Sequence, residues 1–191
     1  IGKGSGLFAS EILNQFPNHP KEEEKRLNNM FLREHFFTSI FTIADYKNVT
    51  SIDSLYNYHA KHKYLFMSCN QLLMRKMGKI AANNVDVPLN QIIENYYNHL
   101  LLMFKKRARY TSNINTQMHV LGYFKKKLSA KEKKFFLELI EEYRAKKITL
   151  STVNNVLYSW VVRFDDRYLK KQSYFNPFPK ELAEINNSRF Q

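Results

Sequence analysis

The sequence predicts an all-α protein, a multi-helix bundle of about seven or eight helices closed by an irregular C-terminal strap. Three observations carry this. The 191 residues include only 5 Gly and 5 Pro, too few for the many turns of an all-β fold. Apolar residues recur at three- and four-residue spacing in long runs separated by short polar breaks. Hydrophobic residues make up 44% of the chain, enough for a sizeable core. A single cysteine rules out an intrachain disulfide and a thiolate-rich zinc or iron–sulfur site within these residues, and a reducing cytoplasm fits that usage. No run reaches the roughly 18 uninterrupted apolar residues of a membrane span and no signal peptide is visible, so no membrane partner is expected.

The organising element is the stretch from Thr50 to Asn83. Ile52, Leu55, His59, His62, Phe66 and Cys69 fall on one helical stripe. Its apolar members are each worth roughly 1.5 to 3 kcal/mol when buried, which makes this helix a central one. Thr50 and Asp53 resemble a capping box, and Asn70 is placed to cap a second piece that buries Leu73, Met77, Ile80 and Ala81.

Around it the chain reads in order. It begins at Ile1, and Leu7, Phe8, Ile12, Leu13 and Phe16 form a short amphipathic helix that Pro17 ends. Residues 17 to 29 lack an apolar period and read as an extended connector, with a domain boundary here. A helix follows, capped by Asn28 or Asn29, with Phe36, Phe37, Ile40, Phe41 and Ala44 inward. Asp86 and Pro88 start a helix on Leu89, Ile92, Ile93, Tyr96, Leu100 and Met103. After a polar loop around Thr111 to Asn113, a helix buries Ile114, Met118, Leu121 and Phe124, with Gly122 at a close crossing. Ser129 and Glu132 form a capping box before Phe136, Leu139, Ile140 and Tyr143. Ser151 caps a last long helix on Val153, Val156, Leu157, Trp160, Val161 and Phe164. The tail, with two prolines among aromatics, packs as a strap ending in a short helix.

Four blocks in succession, LYNYHAKHKYLFMS, MHVLGYFKKKLSAKEK, LIEEYR and YLKKQSYFNPFPKEL, resemble the motifs of the YbgA-like family, bacterial and archaeal domains of unknown function. The N-terminal GLFASEILNQFPNHPKEEEKRLNNMFLREHFF is similar to the end of a thiouracil-desulfidase (TudS-like) domain, which often precedes the YbgA-like domain in one polypeptide. The resemblance implies that residues 1–28 are the remnant of that domain plus a linker, and that residues 29–191 are the YbgA-like domain. It also implies an upstream desulfidase-like domain as partner. The cysteines of that domain's catalytic iron–sulfur cluster would lie upstream, so no cofactor is expected in these residues. Two departures stand out. The family's Gly-x-x-Pro-Leu region is replaced by Ala145 to Leu150 without a proline, and Cys69 stands where small or polar residues are usual.

His59 and His62 lie one helical turn apart, and His119, near Asn115, joins them if the two helices pack. Three imidazoles together can hold a metal, relay a proton, contact a ligand or simply satisfy one another in a core, but His-x-x-His supplies neither a further metal ligand nor an acid partner. No metal is therefore assigned and no catalytic residue beyond these weak candidates. His59, His62, Lys63, Asn115, His119, Tyr123 and Arg144, in or beside the motif blocks, are the ligand-contact candidates. Cys69 reads as an inert core thiol, and His19, His35 and His99 as incidental.

Charge is the stronger signal. The chain carries +13 overall, and residues 105 to 171 contain 17 Lys or Arg against 6 Asp or Glu, so +11 resides there. Such asymmetry favours an anionic partner, nucleic acid above all. Lys105, Lys106, Arg107 and Arg109, then Lys125, Lys126 and Lys127, are the nucleic-acid-binding candidates, with Tyr110, Tyr123, Phe124, Tyr168 and Tyr174 near enough to stack on bases. The same lysines can also do no more than solvate a surface.

Three functions follow. The first is a non-catalytic accessory domain presenting RNA or an anionic thionucleotide to the upstream domain. The second is a structural domain that covers the upstream domain or forms a homodimer. The third is an enzyme using His59, His62 and His119. A basic surface beside exposed aromatics favours the first, a large apolar patch the second, and a deep pocket with polarised histidines the third.

Overall fold

The structure, a computed structural model, describes residues 6–82 and 87–183. These form eight α-helices and three 3-10 turns with no strand among the described residues, as the all-α expectation requires: α1 Leu7–Gln15, α2 Met30–Asp45, α3 Ile52–Ala82, α4 Leu89–Met103, α5 Tyr110–Phe124, α6 Ala130–Arg144, α7 Leu150–Arg163 and α8 Arg167–Lys170. No helix among them is long and apolar enough to cross a membrane.

α3 is the hub and packs against both α4 and α5. Leu55 and Phe66 are fully buried, and Tyr58, His62, Tyr64, Leu65, Met67 and Ser68 join them, so burial extends well beyond one stripe. The helix starts one residue later than Thr50 suggests. Ser51 accepts from the Ser54 N–H (3.1 Å) while the Ser54 hydroxyl accepts from the Ser51 N–H (2.9 Å). At Asn70 the backbone leaves helical geometry (φ −158, ψ 103), and its side chain caps the second arm by accepting from the Leu73 N–H at 3.0 Å.

The second arm turns back on the first. A Cβ added at Gly78 would lie 3.1 Å from Nε2 of His59, whereas a straight helix would hold these residues roughly 28 Å apart. The close approach expected at Gly122 is absent, because a Cβ there meets nothing within 4 Å. Gly78 is the glycine that permits one.

Two helices bury a different line from the one their apolar residues suggest. In α2, capped by Asn29, the fully buried residues are Ser39 and Thr42, while Phe36, Phe37, Ile40 and Phe41 are half-buried and Ala44 is exposed. The Tyr58 hydroxyl of α3 donates to the Thr42 carbonyl at 2.7 Å, which ties α2 to α3 at this line. Tyr46, at the end of α2, stacks on Tyr96 and donates to the Ile93 carbonyl, fixing α2 to α4. In α5, which begins within the expected polar loop, Asn113, Thr116 and Gln117 are buried with Ile114, Val120 and Phe124; Met118 is 41% exposed. Gln117 Nε2 and the Tyr174 hydroxyl both donate to Asn154 Oδ1 at 3.1 Å, so a polar seam ties α5, α7 and the strap.

The remaining helices follow the sequence expectation with small shifts. The Ser129–Glu132 capping box opens α6, and Phe136 and Ile140 are buried. α7 is capped by Thr149, two residues before Ser151. α6 and α7 each end on a left-handed residue, Lys146 (φ 59) and Asp165 (φ 50), whose following N–H reaches back to the Glu142 and Val161 carbonyls respectively. Leu89 is more exposed than the rest of the α4 face, and Asp86 lies outside the described residues. The connector holds a 3-10 turn, Glu24–Asn28, and is not extended throughout. In α1, Ile12 and the capping Phe16 are exposed; the side chains of Leu7 and Phe8 lie outside what is described. Among the described residues the last element of the strap is a 3-10 turn, Lys180–Ala183.

Candidate functional site

The histidine stripe of α3 resolves into two separate structural roles. His59, half-buried, places Nδ1 2.9 Å from the Tyr96 hydroxyl of α4 and leans on Gly78 of its own returning arm. Burial pushes its pKa down to about 4, helped by the nearby positive Lys63 and by His62, so it is held neutral.

His62, only 3% exposed, joins three elements. Nε2 lies 2.9 Å from Asp45 Oδ2 at the end of α2, and Nδ1 lies 2.7 Å from Ser173 Oγ in the strap. Asp45 also accepts from Lys61 Nζ at 2.8 Å. The hydrogen bond from His62, then that from Lys61, hold the Asp45 carboxyl well below its usual range against the opposing effect of burial. For His62 burial dominates and lowers the pKa, with Asp45 opposing. An ionised Asp45 and a neutral His62 follow. Nε2–H then donates to the carboxylate, and Nδ1 accepts from the serine hydroxyl.

The order Asp45–His62–Ser173 is that of a nucleophilic triad, yet its surroundings make it a clamp. Ser173 is 7% exposed, and its N–H donates to the Lys61 carbonyl at 3.1 Å, so main chain and side chain alike are engaged by α3. Beside it the Gln172 amide spans one turn of α3, donating to the Ala60 carbonyl (2.8 Å) and accepting from the Tyr64 N–H (3.3 Å). The strap is therefore stitched to the main chain of α3 on either side of His62.

The convergence of His59, His62 and His119 does not form. His119 is exposed on α5, and no group of three His, Cys, Asp or Glu side chains suited to a metal occurs among the described residues. Lys63 and Asn115 are half-buried, and Arg144 is exposed and paired with Glu141 at 3.1 Å. Burial pushes the Cys69 thiol up to about 12, which keeps it protonated and unreactive. Two histidines expected to be incidental are tie points. His19 meets the Tyr97 hydroxyl at 2.9 Å, and His35 donates to the Phe104 carbonyl at 3.0 Å.

The two basic runs are exposed but lie at opposite ends of α5. Lys105, Lys106, Arg107 and Arg109 precede it, Lys125, Lys126 and Lys127 follow it, and 15 helical residues set them roughly 22 Å apart. The second run has company that sequence spacing does not reveal. Lys127 Nζ and the Arg163 guanidinium both sit over the Phe164 ring, at 5.4 and 4.9 Å, where α7 ends and α8 begins. Tyr168 of α8 stacks on Tyr123 of α5, with Tyr64 of α3 edge-on to both. Phe124 and Tyr174, by contrast, are buried core, and Tyr110 is exposed at the other end.

This end of the bundle carries seven cations, Lys125, Lys126, Lys127, Arg163, Arg167, Lys170 and Lys171, against Glu132, Asp165 and Asp166. Arg163 pairs with Glu132, Lys170 pairs with Asp165, and Asp166 caps α8. The C-termini of α5 and α7 each present about half a negative charge, together roughly one unit, too little to account for the excess.

Comparison with known proteins places these features in context. The family described as "Protein of unknown function (DUF1722)" matches residues 63–179, from just after His62 through Ser173 and the strap. The chain is 27% identical over 133 residues to YbgA, an uncharacterized protein of Escherichia coli (strain K12), covering 68% of this chain and 77% of that protein. No solved structure matches the chain.

Proposed function

The chain belongs to the DUF1722 family of proteins of unknown function, and from that premise we propose that it is a non-catalytic accessory domain that binds RNA at the end of the bundle where α5, α7 and α8 meet. The observation that carries this is the grouping there of cations from three helices around aromatic rings, with Lys125, Lys126, Arg167 and Lys171 outside any ion pair among the described residues. The histidines argue against an enzyme, because both are engaged in holding elements together. The similarity of residues 6–37 to the end of a desulfidase-like domain supports an accessory role, presenting RNA to an iron–sulfur domain in the same polypeptide. The other basic run, Lys105 to Arg109, offers a second backbone contact to an RNA long enough to follow α5.

The test is RNA affinity as a function of salt. Each neutralised phosphate contributes about −0.7 to the slope of log K against log salt for a single strand, so four contacts give a slope near −3. Reversing Lys125, Lys126, Arg167 and Lys171 to Glu removes binding. Reversing Lys25, Lys47, Lys76 and Lys79 changes net charge equally and leaves most of it. Equal loss in both variants reduces the site to diffuse attraction and defeats the proposal.

A further inference from the structure

We infer that Tyr123 and Tyr168 form a stacking platform for unpaired bases, so that the ligand of the basic end is single-stranded or looped RNA and not duplex. This deepens, and rests on, the RNA-binding function proposed above.

The two rings come from different helices, lie within 18° of parallel with centroids 6.1 Å apart, and are 43% and 36% exposed. Tyr64, itself only 4% exposed, stands at 79° to one ring and 66° to the other, and its hydroxyl donates to that of Tyr123 at 3.1 Å. A buried tyrosine on the central helix thus fixes both rings from within, and their orientation is set before any ligand arrives. Pre-organised rings lose little conformational freedom on binding. Tyr56, two turns before Tyr64 on α3, is 62% exposed and lies near enough to Tyr168 to add to the effect of burial in raising its pKa.

Exposed tyrosines alone would be ordinary surface. What distinguishes this pair is the flanking of Tyr123 by Lys125 and Lys126 just past the end of α5, and of Tyr168 by Arg167 and Lys171 around α8. Cations that follow a backbone beside rings that receive bases are the two halves of a single-strand site. An A-form duplex keeps its base faces inside the stack and shows the protein 2′-hydroxyls and phosphates, so it engages the cations and leaves the rings idle.

The experiment compares a labelled oligouridine with an RNA duplex of the same number of phosphates, both titrated with the full chain at fixed salt. The single strand binds at least about tenfold tighter. Tyr123→Ala and Tyr168→Ala each weaken single-strand binding by roughly 5- to 100-fold with no change in salt slope and no change for the duplex. Tyr123→Phe, which keeps the ring, retains the affinity of the parent. Equal affinity for the two RNAs, with alanine variants that bind like the parent, overturns the platform and leaves RNA binding standing. Equal weakening for both RNAs shows the tyrosines to be supports of the fold and also overturns it. No binding to either RNA at low salt removes the platform and the proposed function together.

Discussion

His59 rests against Gly78 on the returning arm of the same helix, and the contact leaves only 3.1 Å between Nε2 and the place where a Cβ would sit. The ring cannot swing aside freely, since Nδ1 is held by Tyr96 and the ring packs near Phe66. Alanine in place of glycine inside a helix ordinarily gains about 0.8 to 1 kcal/mol. In this protein Gly78→Ala yields no such gain, while the same change in a His59→Ala background recovers it. Chemical denaturation of the four chains measures the coupling. Independent, additive effects would show that the two arms are not in contact there.

Acid weakens the fold in a defined window. The buried neutral His59 has a folded pKa near 4, below its ordinary 6.5, and that of His62 is also lowered. A histidine lowered on folding stabilises fully above pH 6.5 and progressively less as pH falls toward its folded pKa, by up to about 1.4 kcal/mol per pH unit for each proton. Asp45, held below its ordinary 3.8, extends the loss to still lower pH. Unfolding free energy therefore declines from pH 6.5 to pH 4, and His59→Gln declines less steeply. A flat profile across that range contradicts the burial of these imidazoles.

Lys146 occupies a left-handed conformation at the end of α6, φ 59, where an L-residue pays roughly 1 to 2 kcal/mol that glycine avoids. Lys146→Gly raises stability by about 1 kcal/mol. Asp165, with φ 50, gains less from the same change, because aspartate tolerates this region better and its carboxylate pairs with Lys170. Thermal melts of the two variants check the order.

The strap clamp is breakable at single atoms. Ser173→Ala leaves the buried Nδ1 of His62 without its donor, and Gln172→Ala removes the amide bridge over the Ala60 carbonyl and Tyr64 N–H, which keep only each other in the helix. Each costs about 1 to 3 kcal/mol. Gln172→Ala also speeds hydrogen exchange at the Tyr64 amide, a local readout that a general loss of stability does not mimic when exchange elsewhere in α3 is unchanged.

Leu55→Ala and Phe66→Ala, at fully buried positions on α3, each cost about 2 to 5 kcal/mol. Met118→Ala, on the exposed side of α5, stays within about 0.5 kcal/mol. Urea midpoints separate the two classes.

The pattern of agreement follows from what periodicity can carry. Where a helix buries apolar residues on one side, as Ile92, Tyr96, Leu100 and Met103 do in α4, the sequence names the face. Where burial falls on small or polar side chains, as at Ser39 and Thr42 in α2 or Thr116 and Gln117 in α5, composition points the wrong way, because those residues are ordinarily assigned to water. The break at Asn70 was legible through its capping chemistry, yet nothing local says that the following arm folds back onto His59. The partners of His62 were out of reach for a similar reason. Asp45 and Ser173 lie far from it in sequence, and Ser173 stood in a motif block with no role attached. Both basic runs were visible as runs, but the assembly of one of them with Arg163, Arg167 and the tyrosine pair arises only when the ends of α5 and α7 meet the short α8.

Because Gln172 and Ser173 bond to carbonyls and an N–H of α3 that every amino acid but proline possesses, these bonds do not depend on which other side chains stand at residues 60, 61 and 64. They do depend on timing. On a ribosome the central helix is finished before residues 172 and 173 emerge, and Nδ1 of His62 waits with water as its partner while α4 to α8 are added. The clamp thus forms only after α4 to α8 have been made, and a chain halted at residue 171 lacks the stitch that holds α3 to the segment after α8.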